Sequence, residues 1–306
     1  MPKVWGGRAL ERVLGIALPE DGASIGETWE LFDRPEGSSR LRGGGTLAEL
    51  ARRSPRELLG DGVATGHEGA FPLMLKFLDA REALSLQVHP DDGQATGDRG
   101  KDECCLILSV DEDARFIHGV RPGVSREQLL ANLDTAAVED LLYSFRPEVD
   151  QLVHTPPGTP HGMGPGVVAF EIQQNSDVTY RFYDWERGRE THAEQARDVV
   201  RVVSNDGPPV VRPTPLPDGG ELLLETPYFV VRRYRSAERV CLPTDARYAT
   251  LTLLRGGGRL GWGAEGEGRS TALAQADTAI VPACVPEFSV DPEGNVDLVV
   301  CSPGAR

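Results

Sequence analysis

The amino-acid sequence predicts a mainly β protein that contains two β-sandwich units. The 306 residues include 35 glycines and 23 prolines, and β-branched residues occur in short runs between them. This composition is typical of many brief strands joined by tight turns, and it does not favour a helical bundle. Because both parts of the chain show the pattern, the two units can be versions of one sandwich.

Helices are expected in only a few places. Residues 46–49 and 54–57 both have the form of a capping box, and Pro55 suits the first helical position of the second. Ser125 opens a third helical stretch, whose apolar residues recur at helical spacing over about 124–145. The sequence therefore predicts a few N-terminal helices and one short helical insertion.

A proline-rich segment divides the chain. Residues 205–220 contain five prolines and no hydrophobic periodicity, which predicts a linker between a first domain over 1–204 and a second β-domain over 221–306. The six histidines all precede the second domain, at His67, His89, His118, His154, His161 and His192. Any chemistry that depends on histidine is therefore expected in the first domain.

Charge and composition exclude several classes of protein. The formal net charge is −15, from 32 basic and 47 acidic side chains, so the long-range field repels phosphates and disfavours nucleic-acid or anionic-membrane partners. The five cysteines include no CxxC pair, as expected of reduced thiols in a cytosolic protein. The amino terminus lacks an apolar signal region, and no run approaches about 18 apolar residues. We expect a cytoplasmic protein with neither nucleic-acid nor membrane partners.

The segment 84–89 alternates strictly between apolar and polar residues. A strand there places Ser85, Gln87 and His89 on one face, opposite three apolar side chains. A hydroxyl, an amide and an imidazole then line one wall. The alternative is a half-buried strand whose polar face meets water.

Two later segments show the same pattern. Glu171 lies on the polar face of a strand over 167–173, and Arg181 lies on the polar face of a strand over 178–183. In a sandwich or barrel, such a face is either the outside or a functional interior. Periodicity alone does not decide between them.

Two further motifs supply candidate metal ligands. Lys101-Asp102-Glu103 precedes an apolar run, and His161 ends a proline-rich turn. Taken singly, these are a solvated charged turn and a surface histidine. Taken together with Gln87 and His89, they provide two imidazoles, a carboxylate and an amide oxygen. That set can hold a zinc-like cation and leave one coordination position open.

These motifs occur in an order that resembles the type I mannose-6-phosphate isomerase family, in its short bacterial form. The matching blocks span most of residues 5–187, and the resemblance fades beyond about residue 205. The blocks are Gly26-Glu27-Thr28-Trp29-Glu30, Pro72-Leu73-Met74-Leu75-Lys76, SLQVHPDD from Ser85, Lys101-Asp102-Glu103, GTPHGMG from Gly158 and EIQQNSDVTYRFYDW from Glu171.

The resemblance implies a fold and a metal centre. The fold is two jelly-roll, cupin-like β-sandwich domains with a short helical insertion. The cofactor is one Zn²⁺ per chain. Its implied ligands are Gln87, His89, Glu103 and His161, all of which are present in the matching motifs.

The resemblance also implies an activity. The reaction is aldose–ketose exchange between mannose 6-phosphate and fructose 6-phosphate, in a protein that is a monomer or a homodimer. The implied catalytic residues are Arg181, Lys101 and Glu171, and Ser85 and Lys76 are the implied substrate-binding residues. Glu171, Lys101 and His161 are all candidates for the catalytic base.

The scarcity of lysine supports the same site independently. Only Lys3, Lys76 and Lys101 among the 32 basic residues are lysines, and two of the three fall inside the motifs. Lysine is a compact donor whose pKa moves on burial, whereas arginine is a wide fork that stays charged. Lysine is therefore expected where a generic positive charge does not suffice.

Two alternative functions are also compatible with the sequence. A cupin-type metalloenzyme that acts on another sugar phosphate would use the same metal ligands. A sugar-phosphate sensor or carbohydrate-binding module without catalytic activity would keep the binding residues, although intact Glu103 and Arg181 argue against it.

Overall fold

The computed structural model describes residues 1–263 and 268–305, and the fold is mainly β, as predicted. As far as residue 211, the strands are β1 (Pro2–Gly7), β2 (Glu27–Leu31), β3 (Asp33–Arg34), β4 (Gly37–Ser38), β5 (Leu73–Ala80), β6 (Leu86–Val88), β7 (Glu103–Val110), β8 (Phe116–Val120), β9 (Leu142–Phe145), β10 (Leu152–Thr155), β11 (His161–Met163), β12 (Val167–Gln174), β13 (Tyr180–Tyr183) and β14 (Val210–Val211). The later strands are β15 (Thr214–Pro215), β16 (Glu221–Glu225), β17 (Phe229–Ser236), β18 (Val240–Pro243), β19 (Ala249–Arg255), β20 (Gly258–Trp262), β21 (Arg269–Leu273), β22 (Thr278–Val281), β23 (Glu287–Pro292) and β24 (Val296–Pro303).

Helices are short and few. They are α1 (Ala9–Leu14), α2 (Leu47–Arg53), α3 (Pro55–Leu59), α4 (Arg126–Asn132) and α5 (Ala193–Val199), with 3₁₀ turns at His67–Gly69 and Ala136–Leu141. The capping box predicted at Thr46 is present, and Ser125 forms one at the start of α4, because each side chain accepts a hydrogen bond from the backbone N–H three residues on. The box predicted at Ser54 is wrong: Pro55 occupies the first turn of α3 as expected, but the Ser54 side chain makes no capping hydrogen bond. Within the part of the chain that is described, none of these helices is long and apolar enough to cross a membrane.

The helical insertion ends earlier than the sequence predicts. Helical structure stops at Leu141, and residues 142–145 form β9. Leu142 packs under the helices, whereas Phe145 packs inside the sandwich. Residues three apart point to opposite faces of a strand but share one face of a helix, so the two burial sites require a strand here.

The chain forms two compact units. The first contains residues 1–13, 17–29 and 74–211, and the second contains residues 14–16, 30–73 and 212–306. Within the predicted linker, β14 pairs with β10 at an edge of the first unit, and β15 pairs with β16 at an edge of the second. The proline-rich segment therefore contributes a short edge strand to each unit, where proline is tolerated.

The first unit is an antiparallel sandwich. One sheet has the strand order β14-β10-β7-β12-β5-β2, and the other has the order β13-β6-β11-β8-β9. An apolar core that includes Ile107, Phe116, Met163 and Ala169 fills the space between the sheets. Helices α4 and α5 cover the other face of the five-stranded sheet.

The second unit is also an antiparallel sandwich. Its larger sheet has the order β15-β16-β17-β24-β19-β22, and its smaller sheet has the order β18-β23-β20-β21. The core between them is built from alternate residues of the long strands, such as Leu251 and Leu253 of β19 and Leu298 and Val300 of β24. The two sandwiches agree with the jelly-roll prediction.

Strand alternation in the first unit decides which polar residues face its interior. Leu86 and Val88 of β6 pack beneath the helices, so Gln87 between them faces inward. On β7, Cys105 and Ile107 belong to the inner core, and alternation gives Glu103 the same direction. The polar faces that periodicity left ambiguous therefore lie inside the sandwich.

Candidate active site

The predicted site residues lie in the first sandwich. Each lies on a strand or within two residues of one, and these strands come from both sheets. Lys76 lies on β5, Ser85 precedes β6, Gln87 lies on β6, His89 follows it, Lys101 precedes β7, Glu103 begins β7, His161 begins β11, Glu171 lies on β12 and Arg181 lies on β13.

Backbone carbonyls fix the orientation of the two imidazoles. His89 Nδ1 lies 2.8 Å from the carbonyl oxygen of Val178, and His161 Nδ1 lies 2.9 Å from that of Thr159. A carbonyl oxygen only accepts, so each Nδ1 donates its hydrogen. In each neutral ring the lone pair is then on Nε2, the nitrogen that turns toward Glu103.

Three ligand groups converge on one point. The side chains of His89, Glu103 and His161 are buried, and each offers a ligand atom within 4.8 Å of the others. His161 Nε2 lies 3.1 Å from Glu103 Oε1, and His89 Nε2 lies 3.4 Å from Glu103 Oε2. Gln87 completes the predicted set, since its amide nitrogen lies 3.2 Å from His161 Nε2.

This donor set fits a divalent cation. Two imidazole lone pairs that face a carboxylate repel each other and the carboxylate unless a positive charge lies between them. Rotation of the Gln87 amide by half a turn offers its carbonyl oxygen as a fourth ligand, and terminal amide orientation is interchangeable in this way. Two imidazole nitrogens and a carboxylate oxygen are a common ligand set of catalytic zinc sites.

Lys101 is buried beside these ligands. Its Nζ lies 2.7 Å from Glu103 Oε2 and 3.3 Å from His89 Nε2. Burial and then the Lys101 charge lower the pKa of His89 to about 3, which keeps the ring neutral and able to bind a metal. Burial raises the pKa of Glu103, but Lys101 together with His89 and His161 outweighs burial and holds that pKa well below its usual value.

The Lys101 charge is itself stabilised by carboxylates. Burial lowers the pKa of the Lys101 ammonium, but Glu103 and then Glu171 outweigh burial, and its pKa rises above its ordinary value. Lys101 therefore remains charged with only 3% of its surface exposed. A permanently charged ammonium next to the metal ligands suits charge stabilisation better than proton transfer.

Glu171 forms a second ion pair with Lys76. Lys76 Nζ lies 3.4 Å from Glu171 Oε2, and both side chains are buried. Burial raises the pKa of Glu171, against the opposing effect of Lys101 and Lys76. A buried carboxyl with a raised pKa is a candidate for accepting and releasing a proton.

Arg181 is held next to Ser85. Its Nε donates to Ser85 Oγ over 3.2 Å, and its Nη1 donates to the backbone oxygen of Glu190 over 2.7 Å. In the sheet, Arg181 pairs directly with Gln87, so its side chain lies on the same inner face. The guanidinium is therefore positioned beside the proposed metal ligands.

Sequence reasoning assigned no role to two residues that shape this region. Trp29 lies under the Lys76 ammonium, with Nζ 5.2 Å from the ring centroid, and its indole N–H donates to Glu27 over 2.7 Å. Both residues belong to the Gly-Glu-x-Trp block, so the sequence did contain a motif that could have indicated their role. The Val178 and Thr159 carbonyls left no signal, because any residue type supplies a backbone oxygen.

A second feature absent from the sequence prediction lies behind the ligands. Asp102 Oδ1 lies 2.7 Å from His154 Nε2. The Asp102 backbone N–H donates to the side-chain Oε1 of Gln174, and the Asp102 carbonyl oxygen accepts from the Gln174 backbone N–H. A proline at position 102 would lack the backbone N–H that donates to the Gln174 side chain. His154 therefore fixes the Asp102 side chain, and Gln174 fixes the Asp102 backbone.

The sequence of the chain is similar to a known protein family and to individual relatives. The model described as phosphomannose isomerase type I, catalytic domain, matches residues 1–105. The mannose-6-phosphate isomerase of Streptococcus mutans is 31% identical over 97% of this chain and 94% of its own length.

Comparison with solved structures finds similar folds in proteins of the same name. The crystal structure of the mannose 6-phosphate isomerase from Bacillus subtilis superposes with a TM-score of 0.85 at 30% identity, covering 98% of this chain and 96% of that one. A variant of the phosphomannose isomerase from Salmonella typhimurium shares the fold, with a TM-score of 0.82 at 16% identity over 99% of this chain and 97% of that one.

Proposed function

The chain belongs to the type I phosphomannose isomerase family, and from this we propose that it is a metal-dependent isomerase that interconverts mannose 6-phosphate and fructose 6-phosphate. The observation that carries the proposal is the convergence of His89, Glu103 and His161, with both imidazole Nε2 atoms directed at one carboxylate. An acidic protein that buries two of its three lysines at this point is suited to a small anionic substrate.

Gln87, His89, Glu103 and His161 would hold one Zn²⁺ per chain. When bound, the ion would supply a Lewis acid for the oxygens at which charge develops. The two carbonyls that accept from Nδ1 of the histidines keep the rings in the metal-binding tautomer. The remaining steps depend on side chains of the chain itself.

The reaction moves one proton between neighbouring carbons of the open-chain sugar. A base removes the hydrogen on C2 of the aldose, the C1 oxygen gains a proton, and an enediol forms. Return of a proton to C1, with loss of the proton from the C2 oxygen, gives the ketose. The two half-reactions balance without any other reactant.

Glu171 is the group assigned to this proton transfer. His161 is unsuitable while Nε2 binds metal, because its Nδ1 already donates to Thr159. Lys101 is unsuitable because its carboxylate neighbours raise its pKa and keep it protonated. The Glu171 carboxyl is buried and its pKa is raised, so it changes protonation state at a pH closer to 7 than an exposed glutamate does.

Lys101 and Arg181 stabilise the negative charge that develops on the two sugar oxygens. Both side chains are held by fixed partners, Lys101 by Glu103 and Arg181 by Ser85 and the Glu190 carbonyl. Cations fixed before the reaction cost little reorganisation when charge appears. Ser85 and Lys76 bind the substrate, the first as a hydroxyl donor and the second as a compact cation for the phosphate.

We also propose the domain division that the sequence predicts, with residues 1–204 as the catalytic domain, 205–220 as a linker and 221–306 as the second cupin-like domain. Of the first range, residues 14–16 and 30–73 group with the second compact unit. The protein is cytoplasmic and acts as a monomer or a homodimer.

The experiment that tests this function replaces one ligand. His161→Ala is expected to lower bound zinc to well below one equivalent and to reduce isomerase activity by at least about 100-fold. His67→Ala is the matched control, because that side chain is 38% exposed and lies outside the cluster. Full metal content together with full activity in His161→Ala would overturn the proposal, and a panel of phosphosugars identifies the preferred substrate.

A further inference from the structure

We propose that the second sandwich carries a binding site of its own for a phosphorylated sugar or polyol. A cavity of about 580 Å³ opens at one end of that sandwich, and every residue that lines it lies between positions 218 and 305. Its volume falls within the range of small-molecule sites, about 300–1,000 Å³. It uses none of the residues assigned to catalysis, so the inference does not depend on the proposed function.

Two arginines line this cavity. Tyr234 on β17 and Val300 on β24 belong to the inner core, so alternation directs Arg232 and Ser302 to the same side. Arg232 Nη1 donates to Ser302 Oγ over 3.1 Å, and Arg247 Nη1 donates to the backbone oxygen of Gly304 over 3.0 Å. The two anchoring residues are separated by one position, so the guanidiniums are held at neighbouring points of the wall.

Neither of these guanidiniums has a carboxylate within 4 Å in residues 1–263 and 268–305. Other arginines of the same unit are paired: Arg233 with Asp297, Arg235 with Glu221 and Arg239 with Asp291. The bonds that Arg232 and Arg247 do make each use a single nitrogen and a neutral acceptor. Most of their donors are left for an anion, and phosphate matches the arginine fork.

The cavity also offers groups that suit hydroxyls. Tyr234 donates its hydroxyl to Asp218 over 2.9 Å, and Asp218 lines the wall together with Thr244. The carboxylates of Glu225 and Asp245 lie at the same cavity and disfavour a highly charged polyanion. Two cations for one phosphate, with carboxylate and hydroxyl acceptors beside them, fit a monophosphate ester of a polyhydroxylated compound.

The test measures binding of sorbitol 6-phosphate, which has no carbonyl group and cannot be isomerised. Equilibrium dialysis compares the full-length protein with Arg232→Gln/Arg247→Gln. The double variant is expected to lose one equivalent of bound ligand, through a weakening of at least about tenfold at that site, with isomerase kcat/KM unchanged. The control Arg235→Gln/Arg239→Gln removes the same charge from the same unit and is expected to keep every equivalent.

The test compares the number of equivalents of sorbitol 6-phosphate bound by each variant with the number bound by the unaltered protein. The outcome therefore does not depend on how many equivalents the unaltered protein binds in total. Loss of one equivalent in Arg232→Gln/Arg247→Gln alone supports the site, even if the isomerase assignment fails. Equal binding by that variant and the unaltered protein overturns it. If the double variant does not fold, hydrogen exchange on the unaltered protein decides: sorbitol 6-phosphate slows exchange in 240–249 and 296–303, and absence of protection there overturns the site.

Discussion

The buried pair of Lys101 and Glu103 gives the sharpest test of how the site is stabilised. The two side chains are 4% and 3% exposed, and Nζ lies 2.7 Å from Oε2. Removing one partner leaves the other charge buried without its main counterion. Replacing both by apolar or neutral groups of similar size removes the charges and the cost of burying them together.

The expected magnitudes follow from this geometry. At 2.7 Å and an effective dielectric constant of about 20, Coulomb's law gives an attraction of about 6 kcal/mol. Breaking a buried pair typically costs about 3–5 kcal/mol of folding free energy. Glu171 partly compensates Lys101, so Glu103→Gln is expected near the lower end. Lys101→Met leaves Glu103 facing two imidazoles and is expected near the upper end.

The assay is a double-mutant cycle on the metal-free protein. Urea unfolding at neutral pH, with a chelator present, is measured for Lys101→Met, Glu103→Gln and the double variant. The double variant is expected to be destabilised by at least about 2 kcal/mol less than the sum of the single variants. Additive effects of the two substitutions would refute the claim that the ion pair is stabilising.

Three further outcomes are expected. Glu171→Gln keeps the shape of the side chain but removes the proton acceptor, so kcat is expected to fall by about 100-fold or more with zinc content unchanged, and equal kcat would contradict its role. Arg181→Lys keeps the charge but loses the Nε donor to Ser85, so isomerase kinetics are expected to show at least about tenfold lower kcat/KM. Burial, then nearby His161, lowers the pKa of His118 from 6.5 to about 4. Between these values the unfolded chain binds more protons, so His118 is expected to contribute up to about 3 kcal/mol of stability above pH 6.5 that is lost as the pH falls toward 4. Urea unfolding of His118→Gln at pH 5 and 7 is expected to show a smaller pH effect than the unaltered protein, whereas the His67→Gln control keeps it.

The His118 expectation has a direct geometric cause. Its Nε2 lies 3.0 Å from the His154 carbonyl and its Nδ1 lies 3.3 Å from the amide nitrogen of Asn205. The carbonyl requires a hydrogen on Nε2, and the amide N–H requires a lone pair on Nδ1. A proton added to Nδ1 would face another donor, which opposes protonation in the same direction as burial, the main cause of the lowered pKa.

The sequence predicted the class of fold and the positions of the capped helices because both depend on local signals. Thr46 and Ser125 cap their helices through contacts three residues away, and such contacts are visible in sequence. Residues 142–145 were predicted as helix because their spacing resembles a helical pattern. Their strand conformation depends on two separate cores, which no local pattern shows.

The candidate site was predictable as a list of residues and much less as an arrangement. Periodicity separated Gln87 from Leu86 and Val88, but only the helices packed on the outer face show that Gln87 points inward. The scarcity of lysine indicated the region, and Lys76 and Lys101 are indeed 4% and 3% exposed. The carbonyl groups that orient the imidazoles belong to the backbone of Val178 and Thr159. Because every residue type has such a group, the sequence does not show which carbonyls take this role.

The proposed isomerisation depends on a metal held by the cluster of His89, Glu103 and His161. The most direct test is a coupled assay for fructose 6-phosphate formation from mannose 6-phosphate, before and after treatment with a strong chelator. We expect activity to disappear with the metal and to return on addition of about one equivalent of Zn²⁺ per chain. Activity that survives complete removal of the metal would contradict the account.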